Sequence, residues 1–480
     1  MNVAHLDEER KAEVRAVVFH HLAGIVVAPT VKALWDRRVF DMFLDDRAEW
    51  LDLDWIVDRT RSNRGYLKVA LRLLCSCGWL QQRATDAGRV PSYQLTREGR
   101  IAAKFAPLLY GEVTTFVSKS FFIEDFLFGK SNGPVLPSLQ ELIRRSKERW
   151  GLTPVESPIE ARLREQVRRH LDGMLVGPCL VALARGGVLG QFESGPVDMS
   201  SIDANRASLG CIMDLLAAQG WIARDHDRVT LTPCGAYAAQ IATSYGVTVS
   251  YLPLFDNVST LLFGNARIPR TDENGIELLV NRAMNVWGSG GAHKTYFKKV
   301  DEIVVEIFSR PLNAQPRGIC DMGCGDGSLI EHLYEVVRDR TPRGRVLDAN
   351  PLILVGADFN KVARRVTKQN LRKAGLPSFH VIPGDINRPA QLAGDLEEIG
   401  YDIHDFLHVR SFLDHNRPYL PPADYVPGRR IGKSTGAFDH FGAEIPAEVL
   451  EENLVRHLRR KEAQFKHEIW EEESNETGQS

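Results

Sequence analysis

The sequence predicts an α/β domain with a parallel sheet in the C-terminal part of the chain, preceded by a mostly helical region that contains a duplicated motif. From residue 269 to about residue 425, short apolar runs alternate with amphipathic segments, as in a parallel sheet covered by helices. Upstream, one order of helix, strand, turn and strand occurs twice. We therefore expect four segments, at residues 1–132, 133–199, 200–268 and 269–480.

The composition is that of a globular protein, with 44% hydrophobic and 25% charged residues among 480. The formal net charge of -2 provides no general basic field, so the sequence does not favour nucleic acid as a partner. The acidic N-terminus does not resemble a signal peptide, and we find no run of about 20 apolar residues that would span a membrane. Seven cysteines without metal-site spacing indicate a reducing environment, and we expect a cytoplasmic protein.

The duplicated motif covers residues 71–103 and 213–239. In each copy a helix stops at Gly78 or Gly220, a strand opens with Trp79 or Trp221, and a second strand ends in Leu-Thr before another helix. This is the layout of a winged helix. The segment before the first recognition helix, residues 59–68, is basic, whereas its counterpart is nearly neutral. We therefore expect these motifs to mediate dimerisation or to frame a substrate chamber rather than to bind DNA.

A glycine-rich turn marks the candidate ligand site. A short strand containing Ile319 ends at Asp321, the turn carries Gly323, Gly325 and Gly327, and a helix follows at once. Glycines let a ligand approach the backbone, and the helix N-terminus favours a carboxylate. An acid at the head of the turn suits a cationic amino acid group, whereas a dinucleotide turn accepts a pyrophosphate.

Acids also end the next two predicted strands. Asp358 could accept hydrogen bonds from ribose hydroxyls, and Asp385 could bind an adenine amino group while Ile386 packs on its ring. Gly327 and Asp358 are further apart than the usual spacing of about 20 residues, which we assign to a long helix and the loop 338–345. Further candidate cofactor contacts are Tyr296, Phe359 and His408, with packing inside its strand as the alternative for His408.

The segment from about 280 to 425 resembles class I S-adenosylmethionine-dependent methyltransferases, which have a Rossmann-like fold. Residues 285–297 and 409–417 are similar to the C-methyltransferase domains of apratoxin-type polyketide synthase loading modules. This resemblance implies S-adenosylmethionine as the cofactor and a helical and winged-helix lid region. It also implies methylation of the acidic carbon of a malonyl-type acyl group on an acyl carrier protein, in some members with bound iron or manganese.

The residues after the fourth predicted strand are the candidates for acceptor chemistry. An enolising thioester needs its developing oxyanion stabilised by a metal ion or a fixed donor. The candidate catalytic residues are Arg410, Asp414, His415 and Asn416, and the candidate iron or manganese ligands are Asp414, His415 and His440. In the alternative interpretation, His415 and Asn416 cap the loop while Asp414 pairs with Arg410 or Arg417.

The C-terminal tail departs from the family pattern. A complete methyltransferase sheet has three further strands after the fourth, but residues 447–460 read as a helix that continues through residue 473 into a polar tail. We therefore expect an unfinished sheet, in an enzyme completed by a partner chain or in a truncated form. The alternatives in function are a small-molecule O- or N-methyltransferase and a noncatalytic scaffold or regulator.

Overall fold

The computed structural model describes residues 6–45, 50–83, 90–129, 135–192, 195–273, 276–411, 413, 419–422, 434, 436–462 and 468–471. It divides into two units. The first comprises Met1–Asn285 and Thr435–Pro446, and the second comprises Val286–Ser434 and Ala447–Ser480.

The first unit is mostly helical. Its helices are α1 (Glu8–Asp36), α2 (Val39–Leu44), α3 (Leu53–Thr60), α4 (Arg64–Ser76), α5 (Arg97–Ala102), α6 (Ala106–Thr114), α7 (Val117–Ser120), α8 (Ile123–Phe128), α9 (Val135–Lys147), α10 (Pro158–Arg185), α11 (Val188–Gln191), α12 (Arg206–Ala218), α13 (Pro233–Gln240), α14 (Thr243–Ser250), α15 (Leu252–Asp256) and α16 (Val258–Phe263). Its strands are β1 (Leu51–Asp52), β2 (Leu80–Arg83), β3 (Ser92–Leu95), β4 (Val197–Asp198), β5 (Ile222–Asp225) and β6 (Arg228–Leu231).

Both predicted winged-helix motifs are present. Each is a helix followed by an antiparallel hairpin, and each hairpin belongs to a three-stranded sheet, in the orders β1-β3-β2 and β4-β6-β5. The copies agree in detail, because Thr96 and Thr232 donate their backbone N–H groups to the carbonyls of Trp79 and Trp221. The tryptophans are therefore core and turn residues, as expected.

The duplication extends to two long helices that the sequence analysis did not connect. Both α1 and α10 contain the pattern His-Leu-x-Gly, at His21–Gly24 and His170–Gly173, and a proline follows five residues after the glycine in each helix. A β-carbon on Gly24 would lie 2.2 Å from the carbonyl oxygen of His170, and one on Gly173 would lie 2.4 Å from that of His21. Small residues at these positions let the two helix backbones meet.

Two crossed hydrogen bonds link the repeats. His21 of the first repeat bonds through Nδ1 to the hydroxyl of Tyr245 in the second, and His170 of the second bonds in the same way to Tyr110 of the first, both at 2.7 Å. This reciprocal pattern is that of a two-fold dimer interface. The two repeats therefore pair within one chain.

Helix α1 corrects one expectation from the sequence. By length and composition it could cross a membrane, although the sequence analysis found no such run. Of its most apolar 18-residue window, 61% is buried within the protein, chiefly against α10. Its apolar character is therefore that of a core helix.

The second unit contains the predicted parallel sheet. Helix α17 (Arg282–Phe297) leads into it, and the remaining elements are α18 (Asp301–Phe308), β7 (Gly318–Met322), α19 (Ser328–Arg340), β8 (Ile353–Asp358), α20 (Lys361–Lys373), β9 (Phe379–Pro383), α21 (Pro389–Glu398), β10 (Phe406–Ser411), α22 (Ala447–Glu462) and β13 (Glu468–Glu471). The strand order is β13-β10-β7-β8-β9, with all four pairings parallel. The predicted Rossmann-like α/β architecture is confirmed. Between β10 and α22, a hairpin of β11 (Asp439–His440) and β12 (Ala443–Glu444) belongs to the first unit.

The prediction that the tail continues as a helix is wrong. Helix α22 ends at Glu462, and Glu468–Glu471 form β13, which pairs in parallel with the outer side of β10 from His408 to Ser411. This segment has only four residues and begins and ends with glutamate, so it is too short to show the alternation of apolar and polar residues that predicts a strand. Its conformation is set by the hydrogen-bonding edge that β10 offers. In the part of the chain that the structure describes, the sheet thus gains one strand beyond the fourth, not three.

Candidate active site

The glycine-rich turn connects β7 to α19 as predicted. Gly323, Gly325 and Gly327 have φ angles of 83°, 57° and 84°, in the left-handed region that other residues rarely adopt. The N–H groups of Gly323 and Cys324 both donate to the carbonyl of Ala357 on β8, at 2.7 and 3.3 Å. The turn is therefore fixed to the neighbouring strand before any ligand binds.

Gly325 leaves room for a ligand. A β-carbon there would meet the carbonyl oxygen of Gly323 at 3.8 Å and nothing closer. At Gly323 a β-carbon would instead lie 2.9 Å from the Leu413 side chain, and at Gly327 it would lie 3.0 Å from Thr367. Gly325 is thus the point of the turn where another molecule can reach the backbone, while the other two glycines pack against protein.

Asp321 lies buried at the carboxyl end of β7. Burial, followed by the negative charges of Asp358 and Asp326, raises the pKa of Asp321 to about 8. A carboxylate held in this way favours a cationic partner, because a nearby positive charge would stabilise its ionised form. The surroundings of Asp321 therefore fit the ammonium group of an amino acid.

Asp358 ends β8 beside the turn. Its Oδ2 accepts a hydrogen bond from the N–H of Gly325 at 3.2 Å, and its Oδ1 accepts one from Asn360 at 2.8 Å. Directly after it, the Phe359 side chain is 79% exposed, so its ring is available to a ligand. Asp358 therefore contacts the glycine-rich turn that follows Asp321.

Asp385 follows β9 on the same edge of the sheet. The parallel register pairs Asp321 with Gly356 and Asp358 with Pro383, so successive strand ends are brought side by side. Asp385 accepts a hydrogen bond from the N–H of Asn387 at 2.9 Å, and Arg388 lies 3.6 Å from its other oxygen. Ile386 beside it is buried. The structure thus brings the three predicted acids to one edge, while their individual roles stay predictions.

Helix α20 holds the turn and the end of β8 through three side chains that the sequence analysis missed. Thr367 donates to the carbonyl of Gly325 at 2.9 Å, and Asn370 donates to that of Asp326 at 2.9 Å. Arg364 donates to the carbonyls of Asp358 and Phe359 at 2.6 and 2.9 Å. These side chains recur every three residues on one helix face, and that spacing is the signal that could have found them.

The hydrogen bond from Thr367 orients the peptide unit between Gly325 and Asp326. A trans peptide unit points its C=O and N–H in opposite directions. Because Thr367 on α20 binds the carbonyl of Gly325, the N–H of Asp326 in the same peptide unit points away from α20. Thr367 therefore fixes the orientation of a donor at the turn, next to the open space at Gly325.

Three further candidates lie around this edge. Tyr296, near the end of α17, is 40% exposed, and the Lys299 amine lies 5.2 Å from its ring centre. His408 is buried on β10 and bonds through Nε2 to the carbonyl of Ile403 at 2.7 Å, which accounts for this side chain without a ligand. Arg410 is buried on the same strand. Cofactor contact by Tyr296 and His408 and catalysis by Arg410 stay predictions.

The structure does not test the proposed metal ligands as a set, because two of the three lie outside the described residues. Asp414 and His415, with Asn416, lie outside those residues. His440 lies on β11 in the first unit, with its ring 4.5 Å from that of Phe441. Within the described ranges no group of three or more His, Cys, Asp or Glu side chains could hold a metal ion.

The hairpin that carries His440 packs on the recognition helix α4 of the first winged helix. Glu444 pairs with Arg64 at 2.7 Å and also with Lys68, and the N–H of Gly65 donates to the carbonyl of Gly442. A β-carbon on Gly65 would lie 2.6 Å from the Asp439 carboxylate, so glycine permits this close approach. Two cations of the basic segment are thus engaged within the chain.

Family models match three successive parts of the chain. Residues 14–82 match the AprA N-terminal domain, residues 172–265 match the AprA winged helix domain, and residues 277–468 match the methyltransferase family described as the AprA MT2-like domain. Residues 277–468 form an AprA MT2-like methyltransferase domain. The chain is accordingly an S-adenosylmethionine-dependent methyltransferase, and the resemblance inferred from the sequence is confirmed.

The AprA MT2-like match includes the glycine-rich turn, the three acids and the hairpin that packs on α4. No curated protein matches the sequence. Among solved structures, the chain is similar to one described as "PigF with SAH", at 16% identity and a TM-score of 0.30, over 52% of this chain and 71% of that chain.

Proposed function

We propose that this methyltransferase transfers a methyl group to the acidic carbon of a malonyl-type acyl thioester carried on an acyl carrier protein. The observation that carries the proposal is the order of the three family matches. The AprA N-terminal, winged helix and MT2-like domains follow one another in this chain. The similarity of residues 285–297 and 409–417 to apratoxin-type C-methyltransferase domains supports it.

The proposed cofactor contacts are supported by the position of the three acids at one edge of the sheet. Asp321 would hold the ammonium group, Asp358 the ribose hydroxyls and Asp385 the adenine amino group. The open backbone at Gly325 and the N-terminus of α19 would receive the carboxylate. When bound, S-adenosylmethionine supplies an electrophilic methyl group on a sulfonium centre.

The acceptor requires a base and an anion stabiliser. A carbon between a thioester and a carboxylate gives up its proton only if the developing enolate oxygen is stabilised. Arg410, buried on β10, Asp414, His415 and Asn416 are the proposed residues for these tasks. An iron or manganese ion bound by Asp414 and His415 is part of this proposal, with chelation expected to abolish turnover. We also propose that a partner chain pairs with one of the edge strands of the sheet, β13 or β9.

The test uses the purified chain with S-adenosylmethionine and malonyl-loaded carrier protein. We expect mass spectrometry to show the acyl group heavier by one methylene. Asp358→Ala should weaken cofactor binding in calorimetry by more than about tenfold, because it removes two ribose hydrogen bonds to a charged acceptor. Asp348→Ala, at an exposed loop position, should bind like the wild type.

Two results would overturn parts of this proposal. Unchanged cofactor affinity in Asp358→Ala would remove the ribose assignment. Methyl transfer to a small hydroxyl or amine acceptor, with malonyl carrier protein left unmodified, would replace the C-methylation proposal by O- or N-methylation.

A further inference from the structure

Helix α20 carries a concentration of positive charge on its exposed side. It contains six cationic residues and no acidic one: Lys361, Arg364, Arg365, Lys368, Arg372 and Lys373. Four of them are spaced at i, i+4, i+7 and i+11, which places them in one stripe along the helix. We call this set, formed by Lys361, Arg365, Lys368 and Arg372, the basic stripe. All four residues are exposed.

The stability of the helix explains only one member of the basic stripe, Arg372, which lies in the last turn, where the helix dipole favours a cation. Like charges at i, i+4 destabilise a helix by roughly 0.2–0.5 kcal/mol per pair. Lys361 also lies in the first turn, where the helix dipole disfavours a cation. By contrast, Arg144 on α9 and Arg164 on α10 each pair with a glutamate four residues away.

The side chains of the basic stripe are also unpaired in the part of the chain that the structure describes. Within the described ranges, none of its four side chains forms an ion pair or a hydrogen bond. The four positive charges are therefore available to an anionic partner in a chain whose formal net charge is -2.

The stripe begins at the cofactor edge of the sheet. Helix α20 starts two residues after Phe359, and its opposite face carries the buried residues Ala363, Thr367 and Leu371. Thr367 on that face grips the glycine-rich turn. From its first to its last residue the stripe extends about 17 Å away from this edge, at about 1.5 Å per helical residue. A partner docked on the stripe would lie at the same edge of the sheet as the glycine-rich turn, two strands from β10, which precedes the proposed acceptor residues.

We propose that the basic stripe is the docking surface for an acidic face of the acyl carrier protein that delivers the substrate, an inference that rests on the proposed function. A carrier-bound acyl group is attached through a phosphodiester, so every such substrate has an anion at the root of its arm. An acidic helix of the carrier would complement four cations in a row. Complementary charges of this kind raise the association rate and make it sensitive to salt.

The test compares two substrates and two charge-matched variants. The substrates are malonyl carrier protein and malonyl-pantetheine, which lacks the carrier. The variant Arg365→Glu/Lys368→Glu reverses the middle of the stripe. The control Lys298→Glu/Arg345→Glu makes the same change in net charge at exposed positions elsewhere in the second unit.

We expect the stripe variant to raise KM for malonyl carrier protein at least about tenfold at low salt, because steering and complementarity are lost. The kcat, the cofactor affinity and the rate with malonyl-pantetheine should stay at wild-type values. The KM of the wild type for the carrier should rise with salt, and that of the stripe variant should not. The control variant should behave like the wild type.

The outcomes separate the two proposals. If the wild type methylates both thioesters and the stripe variant has an unchanged KM for the carrier, the docking surface is wrong and the proposed function stands. If the wild type methylates neither thioester and calorimetry detects no carrier binding, both fall. If the stripe variant loses affinity for a DNA duplex in anisotropy measurements but not for the carrier, the stripe binds nucleic acid and the carrier proposal is overturned.

Discussion

Cofactor binding should be coupled to the ionisation of Asp321. This side chain is buried, and its pKa is raised to about 8 by burial and by the charges of Asp358 and Asp326. At neutral pH most free enzyme therefore carries the protonated, uncharged form. The ammonium group of the cofactor favours the carboxylate, so binding should release a proton from Asp321.

The size of this effect follows from the raised pKa. We take the cofactor to bind only the enzyme with ionised Asp321. The apparent Kd then equals the Kd of that ionised enzyme multiplied by one plus the ratio of protonated to ionised Asp321. Raising the pH from about 6 to about 7.5 then tightens binding about 25-fold, or about 1.9 kcal/mol. The α-amino group of the cofactor, with a pKa of roughly 7.7–8.0, has already lost part of its charge at about pH 7.5, which reduces the net tightening to about 15- to 19-fold.

Isothermal titration calorimetry in two buffers of different ionisation enthalpy measures both quantities. At about pH 7 we expect close to one proton released per cofactor bound. Asp321→Asn cannot ionise, so it should bind more weakly than the wild type at both pH values, and it should lack the tightening that Asp321 gives between about pH 6 and about pH 7.5. An affinity of the wild type that is flat across this range, with no proton release, would refute the reasoning.

Three other predictions concern the turn and the paired repeats. Thr367→Val should raise KM for the cofactor about three- to tenfold with little change in kcat, because one hydrogen bond to the turn is lost, and Thr367→Ser should restore it. Burial lowers the pKa of His21 and of His170 to about 3, whereas the unfolded value is about 6.5. Between these two values the unfolded chain binds more protons than the folded one, so the free energy of unfolding falls as the pH drops. In urea unfolding, the free energy of unfolding of His21→Gln should fall by about 1.3 kcal/mol less than that of the wild type when the pH is lowered from about 7.5 to 5.5. Gly173→Ala should lower the free energy of unfolding of the first unit by at least about 1–3 kcal/mol, because its β-carbon meets the His21 backbone at 2.4 Å.

A control for Gly173→Ala comes from an exposed position of the first unit. Gly190→Ala adds a β-carbon where nothing lies within 4 Å, so it should leave Tm unchanged. A wild-type KM in Thr367→Val, a pH slope of His21→Gln equal to that of the wild type, or a wild-type Tm in Gly173→Ala would each contradict the corresponding inference.

The candidate site was largely readable from sequence because its parts are local. Gly323, Gly325 and Gly327 require positive φ angles, and a turn of that kind between a strand and a helix follows from the residues alone. The acids at 321, 358 and 385 each follow a strand pattern, and parallel strands place such ends on one edge. The two winged helices were recognisable for the same reason, since their helices and hairpins involve residues close in the chain.

The features that the sequence did not disclose depend on contacts between distant residues. The grip of Thr367 on Gly325 spans 42 residues, and the bond between His21 and Tyr245 spans 224. The strand at 468–471 is too short to show the alternation of apolar and polar residues that predicts a strand, and it pairs with the edge of β10. The pKa of Asp321 likewise depends on which charges the fold places nearby.

The sequence by itself therefore determined which backbone conformations and which chemical groups are available: a glycine-rich turn, three carboxylates and a duplicated winged-helix motif. The tertiary structure decided which of them meet, how deeply they are buried and which charges remain without a partner on the basic stripe. The physical reason is range, because periodicity and φ preferences act over a few residues, whereas burial and electrostatic interactions act between groups that only the fold brings together.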